Sequence, residues 1–408
     1  MLNHLFLSFL FVLILIKLSY NNVDNYFKAI YKSKGIKSIS LLHDIKYNII
    51  KRKVKGDKCF KWTFPINYYI GSNVHAKTVI QALQELEKQT CIRFKLHTGT
   101  TIPQTGIRFD DGEECSSLVG KWSLNNWQTI TVSGHCTTIG SIQHEVLHAL
   151  GIDHEHNRID RDNYLNIYFN NIDKEDLEDF DLVKCIDSET YGIPYDYGSI
   201  MHYDRYAYSA NDKITMSPKH HLYAKTIGHE QKLSFLDIQT LNIHYCSNTC
   251  LVKIQCYNGG YQDPNRCYAC KCVEGYIGQL CKILSKSILL CGINRLDAKY
   301  YQKIFQQNGK KNCIYNIFAP INTLIHIRII KLELFPAREE VCLPTTSLEI
   351  KYWKDKRITG ARFCGLTRNI QILSQNNHVI LHFRSLLQSN YFTIIYKIVK
   401  KRRRSWVF

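Results

Sequence analysis

The chain has 408 residues, which leaves room for two or three domains and a large core. Its sixteen cysteines indicate disulfide bonds and an oxidising compartment. The formal net charge of +18 is unevenly distributed, because residues 247–408 carry 26 basic against 8 acidic side chains and residues 54–246 carry 18 against 25. We therefore expect a secreted, multidomain, extracellular protein without a nucleic-acid partner.

The first residues have the pattern of a secretory leader. Residues 5–16 are apolar apart from Ser8, and the run ends at Lys17. It is too short for a comfortable membrane span and is placed like the apolar core of a signal peptide. We expect a signal peptide over residues 1–20, cleaved between Ser19 and Asn22, and no membrane span. An uncleaved membrane anchor is the alternative.

Residues 21–53 are rich in lysine, lack a plausible core and end in Lys51, Arg52 and Lys53. A basic cluster directly before a globular domain is typical of a processing site. We therefore expect this segment to be a propeptide.

The next residues predict alternating strands and helices. Pro65 and Tyr69 mark a first strand over residues 64–70, and apolar side chains at helical spacing predict a helix over residues 76–90. Strands are predicted to begin at Cys91 and at Gly106, and a further strand over residues 129–132 leads towards the motif that follows.

The strongest chemical signal is the stretch HEVLHALGIDH. His144 and His148 are four residues apart, so on a helix both rings can chelate one ion. Glu145 between them points to the neighbouring face, and Gly151 lets the chain turn to bring in His154 as a third imidazole. Three imidazoles with an open fourth position predict one catalytic Zn²⁺ per chain, because structural zinc is usually closed by four ligands.

Two further motifs identify a family resemblance. Downstream of His154, the residues Glu155, Arg158, Asp160, Arg161, Asp162 and Tyr164 follow the pattern ExxRxDRDxY, and residues 199–203 read SIMHY. In these residues the chain resembles the astacin family of metzincin zinc endopeptidases. The resemblance implies an α+β fold for residues 54–247: a two-lobed catalytic domain with a mixed β-sheet and a zinc helix.

The resemblance also implies roles for single residues. Glu145 would be the general base for a zinc-activated water, and Tyr203 would be a fifth ligand that swings away to stabilise the oxyanion. Met201 would lie under the metal as an apolar floor. Glu155 would pair, as a partly buried carboxylate, with the amino terminus released by processing. Asp44 lies in an LLHDI sequence that partly resembles the propeptide zinc switch, with an ordinary loop acid as the alternative.

Two further sites are interpreted by the same resemblance. Residues 116–120 would form the edge strand above the cleft, where an extended substrate adds as another strand. His156 lies two residues beyond His154, and we interpret it as a surface residue or a support for the site rather than a ligand.

Disulfide pairing is implied by the resemblance, since the cysteine count alone leaves it open. Cys91 would pair with Cys246, and Cys115 with Cys136. Cys59 and Cys185 are additional to the minimal family pattern, and a bond between them is one way to complete an even number.

Six cysteines fall within residues 248–282, which resemble an epidermal-growth-factor-like module. So short a segment needs covalent staples. The resemblance implies three disulfide bonds, which join Cys250 to Cys267, Cys256 to Cys270, and Cys272 to Cys281. Zinc binding by the thiols is the alternative.

Residues 291–398 resemble a CUB domain, a β-sandwich, with Cys291 paired to Cys313 and Cys342 to Cys364. Residues 344–347 read PTTS where the CUB calcium site needs an aspartate, so we expect no calcium. The segment and the basic tail, residues 399–408, are strongly cationic. They suggest acidic matrix proteins or anionic glycans as partners, with a merely soluble basic surface as the alternative.

Together these features predict a secreted zinc metalloendopeptidase that is made as a zymogen and cleaves extracellular protein or peptide substrates. A catalytically idle adhesion or scaffold protein that binds acidic partners is the first alternative, although the chain keeps every ligand and the base. A zinc-stabilised structural module is the second, and the open coordination position argues against it.

Overall fold

The structure is a computed structural model that describes residues 54–55, 61–99, 103–132, 134, 136, 138–183, 188–286 and 288–401. The predicted signal peptide and propeptide, with Asp44, lie outside these ranges, as do Cys59, Cys185 and residues 402–408 of the tail.

A five-stranded sheet forms the upper lobe of residues 54–246. Its order is β3, β2, β4, β6, β5, and only the edge strand β5 runs antiparallel to its neighbour. The strands are β2 (Ile66–Ile70), β3 (Phe94–Leu96), β4 (Ile107–Asp111), β5 (Ser116–Ser117) and β6 (Gln128–Val132). A separate pair joins β1 (Val54–Lys55) to β8 (Ser188–Glu189).

Three α-helices complete this segment. Helix α1 (Ala76–Gln89) buries one apolar stripe that includes Val79, Leu83 and Leu86. Helix α2 (Ile139–Ala149) begins at a capping box between Thr138 and Ser141 and is almost entirely buried. Helix α3 is Phe235–Cys246 and begins at a capping box of Ser234 and Asp237.

The lower lobe contains little regular structure. The strands β7 (Leu165–Ile167) and β9 (Met216–Pro218) pair antiparallel. Short 3₁₀ helices occupy Glu155–Asn157, Arg161–Asn163, Phe169–Asn171, Lys174–Phe180 and His221–Tyr223.

The small module after α3 has three disulfides and two hairpin-like strand pairs. Strand β10 (Tyr261–Asp263) pairs with β11 (Arg266–Lys271), and β12 (Tyr276–Ile277) pairs with β13 (Ile283–Leu284). Its cysteines are bonded as 250–267, 256–270 and 272–281.

The C-terminal segment is a β-sandwich of two sheets. One has five strands in the order β14, β16, β21, β18, β19, and the other has four in the order β15, β22, β17, β20. The bounds are β14 (Arg295–Asp297), β15 (Lys303–Asn308), β16 (Lys311–Phe318), β17 (Thr323–Leu334), β18 (Ser347–Lys351), β19 (Ala361–Phe363), β20 (Gly365–Leu373), β21 (His378–Ser385) and β22 (Tyr391–Lys400).

Buried apolar residues divide into two cores, and the division does not follow the predicted domains. One core fills the upper lobe and includes α2 and Met201. The other is continuous from the lower lobe into the sandwich. Tyr197 and Tyr223 of the lower lobe lie with ring centroids 6.2 and 5.3 Å from Trp353 of the sandwich. The sandwich therefore shares its hydrophobic core with half of the peptidase segment.

Among the described residues, every helix is too short or too polar to cross a bilayer.

Candidate metal centre

Helix α2 supplies the first two imidazoles of the site. His144 and His148 lie one turn apart on its buried face, with ring centroids separated by 4.8 Å. The helix is held in the upper core by Ile142, Val146 and Leu147, none of which is more than 1% exposed. The apolar face of the helix therefore fixes the direction in which the two rings project.

Gly151 ends the helical path and brings in the third ring. Its φ of 93° lies in the region that a Cβ disfavours. The turn places the ring of His154 4.4 Å from that of His148 and 5.4 Å from that of His144, between centroids. One ring nitrogen from each histidine lies within 4.8 Å of the other two.

Backbone carbonyls orient the two helical rings. Nδ1 of His144 lies 2.8 Å from the carbonyl oxygen of Ile200, and Nδ1 of His148 lies 2.9 Å from that of Ile152. A donor hydrogen on each Nδ1 leaves both Nε2 lone pairs directed into the site. Burial lowers the pKa of all three histidines, that of His148 to about 3, so the rings are neutral and can act as ligands.

The donor set fits zinc. Bonds of about 2.0–2.1 Å to imidazole place neighbouring ligand nitrogens about 3.3 Å apart in a tetrahedral site. The Nε2 atoms of His148 and His154 are 3.1 Å apart. Within the described residues, no fourth histidine, cysteine or carboxylate side chain joins this group of possible ligands. One coordination position is therefore left for a small molecule.

Glu145 directly follows His144 on helix α2 and is 6% exposed. Its Oε2 is buried and accepts no hydrogen bond from the described residues. Burial, followed by the charge of Glu230, raises the pKa of Glu145 to about 8. A nearby divalent cation acts in the opposite direction. A buried carboxylate oxygen without a hydrogen-bond partner in the described part of the chain, one residue from a candidate metal ligand, is suited to accept a proton from water.

The turn at residues 199–203 passes beneath the site. Met201 is fully buried in the upper core, and its carbonyl oxygen accepts a 2.8 Å hydrogen bond from the backbone N–H of Glu155. The side chain of Asp237 holds this turn through Ser199 Oγ at 2.6 Å and the N–H of Ile200 at 3.0 Å. The sequence pattern of Ser234 and Asp237 indicates a helix cap and gives no sign of this second role of Asp237.

Tyr203 ends the turn with its ring against the site. The ring centroid is 4.3 Å from that of His154 and 4.0 Å from that of His156, on which it stacks. Burial and a hydrogen bond to Tyr208 raise the pKa of Tyr203 well above its ordinary value, so the phenol keeps its proton.

Comparison with models of known protein families identifies one family for the segment that contains this arrangement. The family model that describes astacin, a family of peptidases, matches residues 54–246.

Residues 54–246 belong to the astacin family.

Two nematode relatives are similar along most of the chain. Zinc metalloproteinase nas-34 of Caenorhabditis elegans is 34% identical over 336 residues, which cover 81% of this chain and 55% of the relative. Zinc metalloproteinase dpy-31 of Haemonchus contortus is 34% identical over 354 residues, covering 82% and 64%. The chain therefore spans between half and two thirds of the length of these relatives. Astacin proteinases use zinc, which agrees with the three-histidine donor set.

Among solved structures, high choriolytic enzyme 1, a hatching enzyme zinc-protease from Oryzias latipes, is 31% identical. The match covers 48% of this chain and 98% of that one, with a TM-score of 0.43.

His156 is not a surface residue in this astacin segment. Its side chain is fully buried, and its Nε2 lies 3.1 Å from the carbonyl oxygen of Asp179. The prediction that His156 is a surface residue was therefore wrong. Its ring stacks on Tyr203 and lies 5.3 Å from that of His154, which agrees with the other interpretation, a residue that supports the site. A sequence motif gives no information about what covers a side chain.

Glu155 is also more deeply buried than we expected, with no exposed surface. Its Oε1 accepts a 2.8 Å hydrogen bond from the backbone N–H of Asp196 and lies 3.5 Å from Arg158 Nη1. The cation of Arg158 is shared with Asp160, whose Oδ1 is 2.9 Å from Nε. A buried carboxylate thus lies directly after the third metal ligand.

The edge strand is shorter than expected. Only Ser116 and Ser117 of the predicted residues 116–120 pair with β6, opposite Thr131 and Ile130. The outer side of β5 is the edge of the upper sheet. Beyond it, the chain turns at Gly120, whose φ is 85° and whose N–H donates to the carbonyl oxygen of His148 at 2.8 Å. The edge is therefore anchored to the metal helix.

Among the described residues, four further disulfides lie outside the small module. They join Cys91 to Cys246, Cys115 to Cys136, Cys291 to Cys313, and Cys342 to Cys364.

Proposed function

We propose that the chain is a secreted zinc metalloendopeptidase that is made as a zymogen and cleaves extracellular proteins or peptides. The observation that supports this best is the orphaned Oε2 of Glu145 beside three neutral imidazoles. A zinc ion held by His144, His148 and His154 would acidify water and polarise the scissile carbonyl.

Glu145 would act as general base and then as general acid. Its carboxylate would accept a proton from the attacking water and return it to the leaving amine. Burial supports this role, because a desolvated carboxylate has a higher proton affinity than an exposed one.

Tyr203 would stabilise the transition state. Its phenol keeps its proton and lies next to the ring of His154, so it can donate a hydrogen bond to the oxygen on which negative charge develops. This assignment makes Tyr203 important for turnover more than for substrate binding.

The edge strand β5 would hold the substrate. Its outer N–H and C=O groups can pair with an extended peptide, which gives affinity that depends little on sequence. Trp122 lies close in the chain to this edge and is 57% exposed, so it can add an apolar contact.

Activation would proceed by removal of residues 21–53. In the zymogen Asp44 would occupy the open metal position. Cleavage near residues 51–53 would remove Asp44 from that position, and the new amino terminus would approach the buried carboxylate of Glu155.

The remaining segments would act outside the cell. We assign residues 248–282 to an epidermal-growth-factor-like module and residues 291–398 to a CUB-like sandwich. The outer face of the four-stranded sheet carries Arg328, Lys331, Arg368 and Lys397, which could hold acidic matrix proteins or anionic glycans. Lys331 is partly neutralised by Glu333 at 2.6 Å.

The proposal is tested with processed wild-type protein, Glu145→Gln and the control Glu85→Gln. Glu85 is a matched carboxylate because it accepts a hydrogen bond from Gln143, which lies on the same metal helix. Zinc content and cleavage of an unstructured protein are measured. We expect one zinc in all three and cleavage lost only in Glu145→Gln. Equal cleavage by Glu145→Gln and wild type would overturn the mechanism, and a wild type that binds zinc without cleaving would favour a scaffold.

A further inference from the structure

The C-terminal sandwich inserts a segment, residues 358–362, into the lower lobe of the peptidase. Thr359 is 5% exposed. Its backbone N–H donates to Asp196 Oδ1 at 3.1 Å, and its Oγ1 donates to Asp196 Oδ2 at 3.1 Å. A single sandwich residue therefore donates to both oxygens of a carboxylate that has no exposed surface, and the N–H of Gly198 also donates to Oδ1 at 3.1 Å.

Asp196 is connected to the metal centre through its own backbone. Its N–H donates to Glu155 Oε1 at 2.8 Å, and Glu155 follows the third metal ligand in sequence. Its carbonyl oxygen accepts from the N–H of Ser199 at 3.0 Å, which is the first residue of the turn beneath the site. Asp196 thus fixes two separate supports of the three imidazoles.

Close packing leaves little freedom at this contact. A Cβ added to Gly198 would lie 2.3 Å from Thr359 Cγ2, so the two segments of the chain are in direct contact here. On the sandwich side, the N–H of Gly360 donates to Glu349 Oε1 at 3.0 Å, and Glu349 also binds Arg384 at 3.0 Å. The inserted segment is therefore also fixed by hydrogen bonds to the rest of the sandwich.

The inserted segment also contributes positive charge. Asp196 lies near the carboxylates of Asp237 and Glu155, and buried like charges repel. The buried guanidinium of Arg362 attracts Asp196, while the N–H of Arg362 donates to Thr226 Oγ1 at 3.0 Å. The peptidase segment thus depends on the sandwich for part of its charge balance.

We propose that Thr359 is a positioning residue of the peptidase, through which the sandwich holds Asp196 and thereby Glu155 and the turn beneath the metal site. This inference rests on the proposed endopeptidase function. It makes the sandwich a part of the catalytic unit as well as a surface for partners. Since Thr359 lies far in sequence from the edge strand and contacts the lower lobe, its effect is on turnover and metal retention.

The test compares full processed enzyme with Thr359→Val, Thr359→Ser and the control Thr345→Val. Thr345 also donates a sandwich-to-peptidase hydrogen bond, to Gln231 Oε1 at 2.9 Å, but the bond is exposed and has no link to Glu155. We measure kcat and KM on a peptide, the rate at which zinc passes to a chromophoric chelator, and Tm. Loss of a hydrogen bond to a buried carboxylate predicts about a tenfold lower kcat for Thr359→Val, with KM unchanged and faster zinc loss. Serine restores both values, and Thr345→Val behaves as wild type.

Wild-type kcat and zinc retention in Thr359→Val would overturn the inference, as would equal losses in Thr345→Val. If the valine variant fails to fold because its methyl faces a carboxylate, Thr359→Ala removes the hydroxyl without that contact and is judged by the same criteria. A wild type that binds zinc without cleaving overturns the proposed function alone, because the chelator assay still tests the inference. A wild type without zinc overturns both.

Discussion

Ser199 donates a 2.6 Å hydrogen bond from Oγ to Oδ1 of Asp237, which joins the turn beneath the metal site to the first turn of helix α3. The other oxygen of Asp237 accepts from the N–H groups of Ile200 and Ser234. One buried carboxylate thus caps a helix and fixes the floor of the site.

Replacing Asp237 by alanine is expected to lower both stability and zinc retention. The substitution leaves buried donors of Ser199 and Ile200 without an acceptor, at a cost of about 2–4 kcal/mol in the free energy of unfolding. Ser234→Ala is the control, since it removes the cap hydrogen bond, at a cost of about 1 kcal/mol, but keeps the Asp237 carboxylate as acceptor for Ser199 and Ile200. Urea unfolding and metal analysis measure the difference, and equal effects of the two variants would contradict this role.

Tyr203→Phe is expected to lower kcat by about 10–100-fold with a small change in KM, because it removes a donor to the developing oxyanion. Tyr206→Phe, in the same loop, is expected to retain activity. Steady-state kinetics separate kcat from KM. A rise of about 10–100-fold in KM with unchanged kcat would assign Tyr203 to substrate binding instead.

Three buried histidines outside the metal centre are expected to make stability depend on pH. Burial lowers the pKa of His229, His244 and His378 to about 3 each. The unfolded chain therefore binds more protons between about pH 3 and 6.5, so stability is full above pH 6.5 and falls as pH decreases through that window. Each histidine contributes about 1.4 kcal/mol per pH unit.

The variant His378→Gln isolates one share of this dependence. His378 stacks on Phe318 at 4.4 Å, and its Nε2 lies 3.0 Å from Asn316 Oδ1, within the sandwich. Between pH 7.5 and 5.5, the unfolding free energy of this variant should fall by about 1.4 kcal/mol less than that of wild type, because the imidazole of the unfolded chain takes up its proton near pH 6.5. An unchanged slope would show that this residue does not contribute.

Glu349→Gln is expected to destabilise the chain by about 3–5 kcal/mol, because it removes the carboxylate bound to the buried guanidinium of Arg362 and leaves Arg384 with Glu274 alone. Glu349 is 3% exposed and binds both Arg362 and Arg384. Glu340→Gln is a matched control, since the pair of Glu340 with Arg205 is exposed and is worth at most about 1 kcal/mol. Chemical unfolding of both variants measures this difference, which would be absent if the buried cluster were dispensable.

The ligand set and the main helices were predictable because they depend on local spacing. His144 and His148 are four apart on any helix, and Ser234 with Asp237 marks a helix start wherever it occurs. The depth of burial of His156 and Glu155 was not predictable, because it depends on residues such as Asp179 and Asp196 that are distant in sequence. The contact of Thr359 with Asp196 spans 163 residues and has no local signal.

The core shared by the lower lobe and the sandwich was missed for the same reason. Residues 291–398 have the cysteines and strand pattern of an independent sandwich, so their composition predicts a separate domain. Tyr352 and Trp353 have no feature that distinguishes a ring packed within the sandwich from one packed on Tyr223.

A crystal structure of the processed chain with anomalous scattering data at the zinc edge tests the central claim most directly. We predict one zinc ion bound to ring nitrogens of His144, His148 and His154, with no carboxylate or thiolate of the chain completing a closed four-ligand site. A fourth such protein ligand that permanently closes the site, or the absence of any ion from zinc-saturated protein, would contradict an endopeptidase built on these three residues.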